Sequence, residues 1–444
     1  MDPEPDASSA EPLSSADLLD AWPITSRDER LEGFRLLSRS EAEELFLGLA
    51  PGAQADLLLS LPREERRSWL RLLAPDDAAD LLQAAPAGAR PELLGQLDAP
   101  SRKEVQALLA YAEDAAGGLM SPRYARLRPE LSVDEAIRYL REQARERLET
   151  IYYVYVLDEG QHLVGVVSFR ELFAAAPGRT VRDIMHTDFV TVREHQDQEA
   201  VSRVFAATGY LAIPVVDAER RIQGIITVDD IVDVVQEEAT EDIHKLGGME
   251  ALDAPYLSVA FGRMVRKRAG WLSALFLGEM LTATAMAYFE GEIARAVVLA
   301  LFVPLIISSG GNSGSQASTL VIRAMALGEV RIRDWWRVIR RELAAGMVLG
   351  TVLGSIGFLR IVVWQSVSPL YGEHYLLVAV TVCASLIGVV TFGTLAGSLL
   401  PFVLRRLGFD PASASAPFVA TLVDVTGLVI YFSVASVVLR GTLI

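Results

Sequence analysis

Five apolar runs, near residues 270–289, 296–322, 343–365, 375–404 and 413–439, follow one another in the C-terminal part of this 444-residue chain. Each is long enough for a helix to cross a bilayer, which takes roughly 20 apolar residues. Lipid offers the backbone no hydrogen-bond partner, so helices, which satisfy their own N–H and C=O groups, are the expected form. The expectation is an all-α, five-helix transmembrane domain over 269–444. One residue sits badly in such a setting: Asp424, near the middle of the last run. A carboxylate at that depth costs about 2.5–3.5 kcal/mol on insertion scales, and such groups face a bundle interior or a water-filled path. Glu279 in the first run poses the same question, as a lining or a structural residue.

The charges between the runs set an orientation, because Lys and Arg concentrate on cytoplasmic loops. Arg263, Arg266, Lys267 and Arg268 precede the first run. Arg323, Arg331, Arg333, Arg337, Arg340 and Arg341 separate the second from the third, and Arg405 and Arg406 the fourth from the fifth. The stretch 290–295 carries Glu290, Glu292 and a single Arg295, and 366–374 has no Lys or Arg. The pattern predicts a multi-pass protein of the cell (inner) membrane, its N-terminal half cytoplasmic and its C-terminus outside. The start, Met-Asp-Pro-Glu-Pro-Asp, lacks the basic region and apolar core of a secretory signal, which agrees.

From Arg263 onward the chain has 15 basic and 9 acidic residues; before it stand 26 and 48, a balance of −22 against −16 overall. So acidic a cytoplasmic half repels phosphates and excludes nucleic acid as a partner, while it suits cations. The single cysteine, Cys383, excludes a disulfide or a multi-thiolate zinc site within one chain.

Residues 1–20 are polar and small, the expected mark of a disordered tail. Between 21 and 117 the pattern is helical. Pro51, Pro62, Pro75, Pro86 and Pro100 are spaced 11, 13, 11 and 14 apart, a paired period of 24 or 25 residues. Several stand where a first helical position would be, as in Leu61-Pro-Arg-Glu-Glu and Ala74-Pro-Asp-Asp. Short helices at a fixed period predict a superhelical N-domain. Asp76 and Asp80 lie one turn apart on one of them, and Glu41, Glu43 and Glu44 add to the acidity.

A longer repeat fills 118–240. Leu119-Met-Ser answers Ile184-Met-His, and each is followed by a short strand, an amphipathic helix and two β-rich runs. Each copy closes with a glycine-led strand entering a helix, Gly165-Val-Val-Ser-Phe-Arg-Glu and Gly224-Ile-Ile-Thr-Val-Asp-Asp. This β-α-β-β-α order resembles a pair of α/β CBS domains, 118–180 and 181–240, a regulatory module that often binds adenine nucleotides such as ATP. A hydroxyl can meet phosphate and an acid three residues on can reach a ribose, which nominates Thr227 and Asp230 in the second copy and Ser168 in the first, where Glu171 replaces the usual Asp. Beyond it, Gly247-Gly248 should break the helix, and Asp253-Ala-Pro255 should cap a new one. That restart places a connecting (plug) helix over 241–268, ending in the basic residues at the membrane.

The second apolar run contains Ser308-Ser-Gly-Gly-Asn-Ser-Gly-Ser-Gln316, too polar to face lipid. Gly310 and Gly314 make a small-xxx-small contact, which leaves Asn312 and Gln316 unexplained unless they line a cavity. With its flanks, Pro304 to Gln316, with Asp410-Pro, with Ala420-Thr-Leu-Val-Asp-Val-Thr-Gly-Leu, and with the cytoplasmic strings Glu113 to Met120 and Glu238 to Ile243, the sequence resembles the MgtE family of magnesium channels. The domain order agrees over nearly the whole chain after about residue 20. The resemblance implies a homodimer with one pore on its two-fold axis, Mg²⁺ as the transported ion, two Asp424 carboxylates as the selective site, and walls that include Gly310, Gly311, Asn312, Gln316 and Ala420.

Mg²⁺ keeps several waters while one or two carboxylates hold it, which suits such a site. The cytoplasmic acids then suggest regulation: bound Mg²⁺ would neutralise and bridge them, draw the domains together and close the pore. Candidate bridging groups are Asp76, Asp80, Asp229, Asp230, Glu241 and Asp242. The chain is not expected to be an enzyme, since none of its five histidines has the His-Glu-x-x-His spacing of a metalloprotease. Transport of another divalent ion, such as Mn²⁺ or Co²⁺, and a non-transporting membrane nucleotide sensor are the alternatives.

Overall fold

The computed structural model describes residues 13–144, 148–176, 178–252, 254, 256–257, 259–368 and 371–443. The chain divides into two units, Met1–Glu238 and Ala239–Ile444.

In the first unit, helices Arg27–Leu36, Pro51–Ser60, Pro75–Ala84 and Ala99–Leu108 begin at intervals of 24 residues, and each packs on the next. Pro51 and Pro75 open their helices and Pro100 stands just inside its own, where a missing N–H costs nothing. Other helices start from capping boxes, Ser26 with Glu29 and Ser38 with Glu41, so Glu41 is a helix cap. Part of the tail expected over 1–20 is helical. Ser14 and Asp17 form a capping box for the helix Ser15–Ala21, whose Leu18 packs into the space left by Gly33. Residues 1–12 lie outside the described residues.

The repeat forms two three-stranded sheets. One holds β1 (Tyr124–Leu127), β2 (Thr150–Leu157) and β3 (Leu163–Ser168), the other β4 (Val192–Arg193), β5 (Ala212–Val216) and β6 (Ile222–Thr227). In both, the first strand runs parallel to the second and the second antiparallel to the third. The copies exchange segments: Ser121 pairs with Ile225 of β6, and His186 with Val166 of β3. The two glycines that lead the closing strands make this exchange possible. A Cβ on Gly165 would stand 2.7 Å from Met185 Sδ, and one on Gly224 2.8 Å from Met120 Cγ. The N-domain core runs on into the second copy, where Leu82, Leu93 and Val105 share one apolar cluster with Phe205, Ile213 and Ile226.

In the second unit, among the described residues, five helices are long and apolar enough to cross a membrane. The first to fifth spanning helices are Phe261–Tyr288, Val303–Ala326, Trp335–Val367, Tyr375–Arg406 and Ala416–Val438. The second and fourth meet almost backbone to backbone: a Cβ on Gly314 would stand 2.9 Å from the carbonyl oxygen of Gly393. Small residues permit this approach where no hydrophobic effect drives helices together.

Among the described residues, 241–268 is divided between two helices and is not one connecting helix. The helix Val228–Leu246 runs up to the Gly247-Gly248 pair, where Gly248 takes a φ of +71°. The next helix begins at Phe261, so Arg263, Arg266, Lys267 and Arg268 occupy its opening turns and not the end of a linker. No proline interrupts 261–288, and the helix continues straight into the first apolar run. Asp253 and Pro255, expected to start the connector, lie outside the described residues. Lys245, near the end of the helix Val228–Leu246, pairs with Glu241 one turn back and with Asp410 at 2.6 Å. Leu246 packs beside Ile322, Ala412 and Ala414.

Candidate functional site

Asp424 lies in the third turn of the fifth spanning helix, which starts from a Ser415 cap whose hydroxyl accepts from the N–H of Phe418. The side chain is half-buried. Its neighbours on the second spanning helix are small: a Cβ on Gly311 would stand 3.4 Å from that of Ala420 and 4.0 Å from Asp424 Oδ1. From the first spanning helix, the Glu279 carboxyl comes within hydrogen-bonding reach of Asp424. The second helix has two distinct faces. Ser308, Asn312 and Gln316, each one turn from the next, form an exposed polar row, and Asn312 donates to Ser308 at 3.4 Å. Gly310, expected among the wall residues, is used otherwise: it is buried against Val389 and Val423, with Val423 Cγ1 2.6 Å from where a Cβ would be. Helix packing needs that glycine, and the open face is left to the amides.

The cytoplasmic acids gather in the first unit. Asp76 is only 6% exposed, and its Oδ1 has no hydrogen-bond partner. Burial, with the carboxylates of Glu149, Asp230 and Asp77, pushes it well above the usual carboxylate range. Burial, then Asp77, Glu113, Asp230 and Glu237, push Asp80 up to about 7. Asp230 reaches about 7 as well, through burial, against the pull of Thr227 and with Asp229 and Glu149 adding to the rise. Asp76, Asp80, Asp229 and Asp230 thus belong to one field of like charge. Glu241 does not share it, being paired with Lys245, and Asp242 lies beside it on the same helix. The field also includes Asp77, Glu113, Glu149, Asp233 and Glu237, which were not among the bridging groups expected from the sequence. Asp233 and Glu237 follow Asp230 at helical spacing and could have been found; nothing local marked Glu149. Among the described residues no three His, Cys, Asp or Glu side chains converge into a ready-made metal site. The orphaned oxygen of Asp76 and the unbalanced charge are what a hydrated divalent cation would satisfy.

The two nucleotide candidates separate. Ser168 lines a cavity of about 310 Å³ between the sheet copies, with Tyr153, Glu171, His186, Tyr210 and Pro214. Thr227 and Asp230 do not line it. Asp230 Oδ2 accepts from the Thr227 N–H at 3.0 Å and its hydroxyl at 2.6 Å, and turns toward the acids. Ser168 and Glu171 make the equivalent capping box, with Glu171 also 2.7 Å from His186 Nε2. In both copies the acid also accepts from the N–H and hydroxyl of the residue three before it, at the start of a helix.

Comparison with known families matches three parts of the chain. Residues 13–114 match the MgtE intracellular N domain, 116–178 and 181–237 the CBS domain, and 303–434 the MgtE divalent cation transporter. A magnesium transporter MgtE of Thermus thermophilus is 44% identical over 338 residues, covering 76% of this chain and 73% of that protein. The chain belongs to the MgtE family. A second MgtE magnesium transporter, from Enterococcus faecalis, is 36% identical over 338 residues, 76% of this chain and 72% of that one. A crystal structure of the cytosolic domain of the Mg²⁺ channel MgtE in complex with ATP covers 50% of this chain and 90% of its own, at 42% identity and a TM-score of 0.47. The MgtE transporter region takes in Asp424, Gly311 and the polar row, while the first spanning helix lies before it.

Proposed function

We propose that this chain carries Mg²⁺ across the cell membrane as a homodimer, and that Mg²⁺ bound to its cytoplasmic acids closes the path. The observation that carries the reading is Asp424: a carboxylate at membrane depth, flanked by Gly311 and Ala420, which leave space for an ion that keeps its water. The exposed row Ser308, Asn312, Gln316 supports the dimer. Polar amides suit lipid poorly, and a second copy placed over them would enclose an aqueous route with two Asp424 carboxylates on it. The basic residues that flank alternate connections support an orientation with the N-terminal half inside and the C-terminus outside.

Closure follows from the acid field. Asp76, Asp80, Asp229 and Asp230 repel one another until a divalent cation lies among them, so cytoplasmic Mg²⁺ favours the state in which they are close. The helix that begins beside Asp229 and Asp230 ends in Lys245, which grips Asp410, five residues before the Ser415 cap of the Asp424 helix. That fastening gives a route from the acids to the ion site, with Glu241 and Asp242 in its last turns. Oxygen donors also accept Mn²⁺, Co²⁺ or Ca²⁺. Flux into liposomes through the purified chain is expected to be fastest for Mg²⁺; equal or faster flux of another divalent ion would reassign the cargo.

We further infer that an adenine nucleotide, ATP, occupies the cavity beside Ser168. Tyr153 and Tyr210 stand with ring centroids 6.2 Å apart at its edge and offer an aromatic surface to a base. Tyr210→Ala is expected to weaken ATP binding at least tenfold by calorimetric titration, and an unchanged affinity would place the nucleotide elsewhere.

A further inference from the structure

Glu279 stands eleven residues beyond Arg268 on one uninterrupted helix. At 1.5 Å per residue that is about 16 Å along the axis from the basic belt. An ionisable group at that distance along a spanning helix is costly and rare, and the family's transporter region begins after it, at residue 303. The first and fifth spanning helices come close at this level: a Cβ on Gly278 would stand 3.0 Å from Thr421 Cγ2. There the Glu279 carboxyl meets that of Asp424. One turn further, on the same face of the helix, the Thr282 hydroxyl is shielded and has no hydrogen-bond partner. Two carboxylates in contact in a low-dielectric setting call for positive charge beside them.

We propose that Glu279 is a second ion-binding carboxylate of the transport path, acting with Asp424 of the same chain on one hydrated divalent cation, with the Thr282 hydroxyl as an outer oxygen contact. The inference rests on the reading of Asp424 as the ion site. Mg²⁺ takes one or two carboxylates directly and retains several waters, so with the Asp424 pair beside it in the dimer Glu279 acts through the ion's water shell. Doubling the fixed negative charge along the path favours divalent over monovalent cations, which gives Glu279 a part in specificity as well as binding.

The test is Mg²⁺ and Na⁺ flux into liposomes for the full-length parent, Glu279→Gln, Glu279→Ala, Glu279→Asp and Asp424→Asn. Glu279→Gln keeps size and hydrogen bonding but removes the charge. It is expected to lower Mg²⁺ flux at least tenfold and to narrow the Mg²⁺/Na⁺ ratio, with Glu279→Asp recovering part of both. Parent-like flux in Glu279→Gln beside a defective Glu279→Ala would make the residue a packing partner and overturn the proposal. So would parent-like flux in both. If Asp424→Asn transports normally, the reading of Asp424 itself fails, a distinct result. Should Glu279→Gln not fold, Glu279→Cys in a Cys383→Ser background supplies a second measurement. A water-soluble methanethiosulfonate should label it, and Mg²⁺ should slow the labelling severalfold; no labelling, or labelling indifferent to Mg²⁺, would overturn the proposal.

Discussion

Replacing Asp424 by Asn should reduce Mg²⁺ flux into liposomes to the leak of protein-free vesicles, a loss of at least a hundredfold. The substitution keeps the side chain's size, so the small surroundings of Gly311 and Ala420 are undisturbed and the protein should elute as the parent does. What disappears is the charge. A neutral amide offers a hydrated Mg²⁺ one weak oxygen in place of an anion, and at membrane depth the difference is amplified by the low dielectric. Asp424→Glu should retain some transport, since the charge survives and only its reach changes. Ions other than Mg²⁺ should be affected in parallel, because the lost term is electrostatic.

The second large effect is expected in the cytoplasmic acids, and its sign follows from their protonation. Asp80 and Asp230 are pushed up to about 7 in the folded protein, from an ordinary value of 3.8. Between these values the folded state holds protons that the unfolded state has released. Folding stability of this unit therefore falls as pH rises from about 4 to about 7 and levels off above, at up to about 1.4 kcal/mol per group per pH unit. Mg²⁺ can replace the protons, so the slope should flatten when it is present. For the full chain in detergent, proteinase K cleavage of the cytoplasmic part, normalised to an unfolded substrate at each pH, should accelerate at least tenfold between pH 5 and pH 8 without Mg²⁺. With millimolar Mg²⁺ it should stay slow. The triple variant Asp76→Asn, Asp80→Asn, Asp230→Asn should be resistant throughout and should no longer need Mg²⁺ for protection. Cleavage that ignores both pH and Mg²⁺ in the parent would remove the acids from any regulatory role.

Much of the architecture is written locally. The proline spacing is the helix spacing, because a proline marks where a helix can start, and the 24-residue interval appears directly in the starts at Arg27, Pro51, Pro75 and Ala99. The glycines of the repeat mark the close approach of Met185 and Met120. One local pattern can have two uses. Ser168-x-x-Glu171 and Thr227-x-x-Asp230 fit a nucleotide site and a helix cap equally well in one dimension, and the fold uses them as caps. Likewise, the basic cluster at 263–268 marks the membrane surface whether it ends a linker or opens a spanning helix; only the unbroken helix Phe261–Tyr288 decides. Least legible were the meetings of distant residues. Glu149 joins acids from two other segments, and Glu279 meets Asp424 across 145 positions, with no periodicity to announce either.

The central claim is that Asp424 holds a hydrated divalent cation on the route through the membrane. The most direct measurement is a high-resolution electron cryo-microscopy map of the full chain in lipid nanodiscs with Mg²⁺, compared with an Mg²⁺-free map. A density peak with an ordered water shell is expected between two symmetry-related Asp424 carboxylates in a water-accessible passage, absent without Mg²⁺. An Asp424 side chain pointing into lipid, or locked onto a basic residue with no passage beside it, would rule out an ion site there.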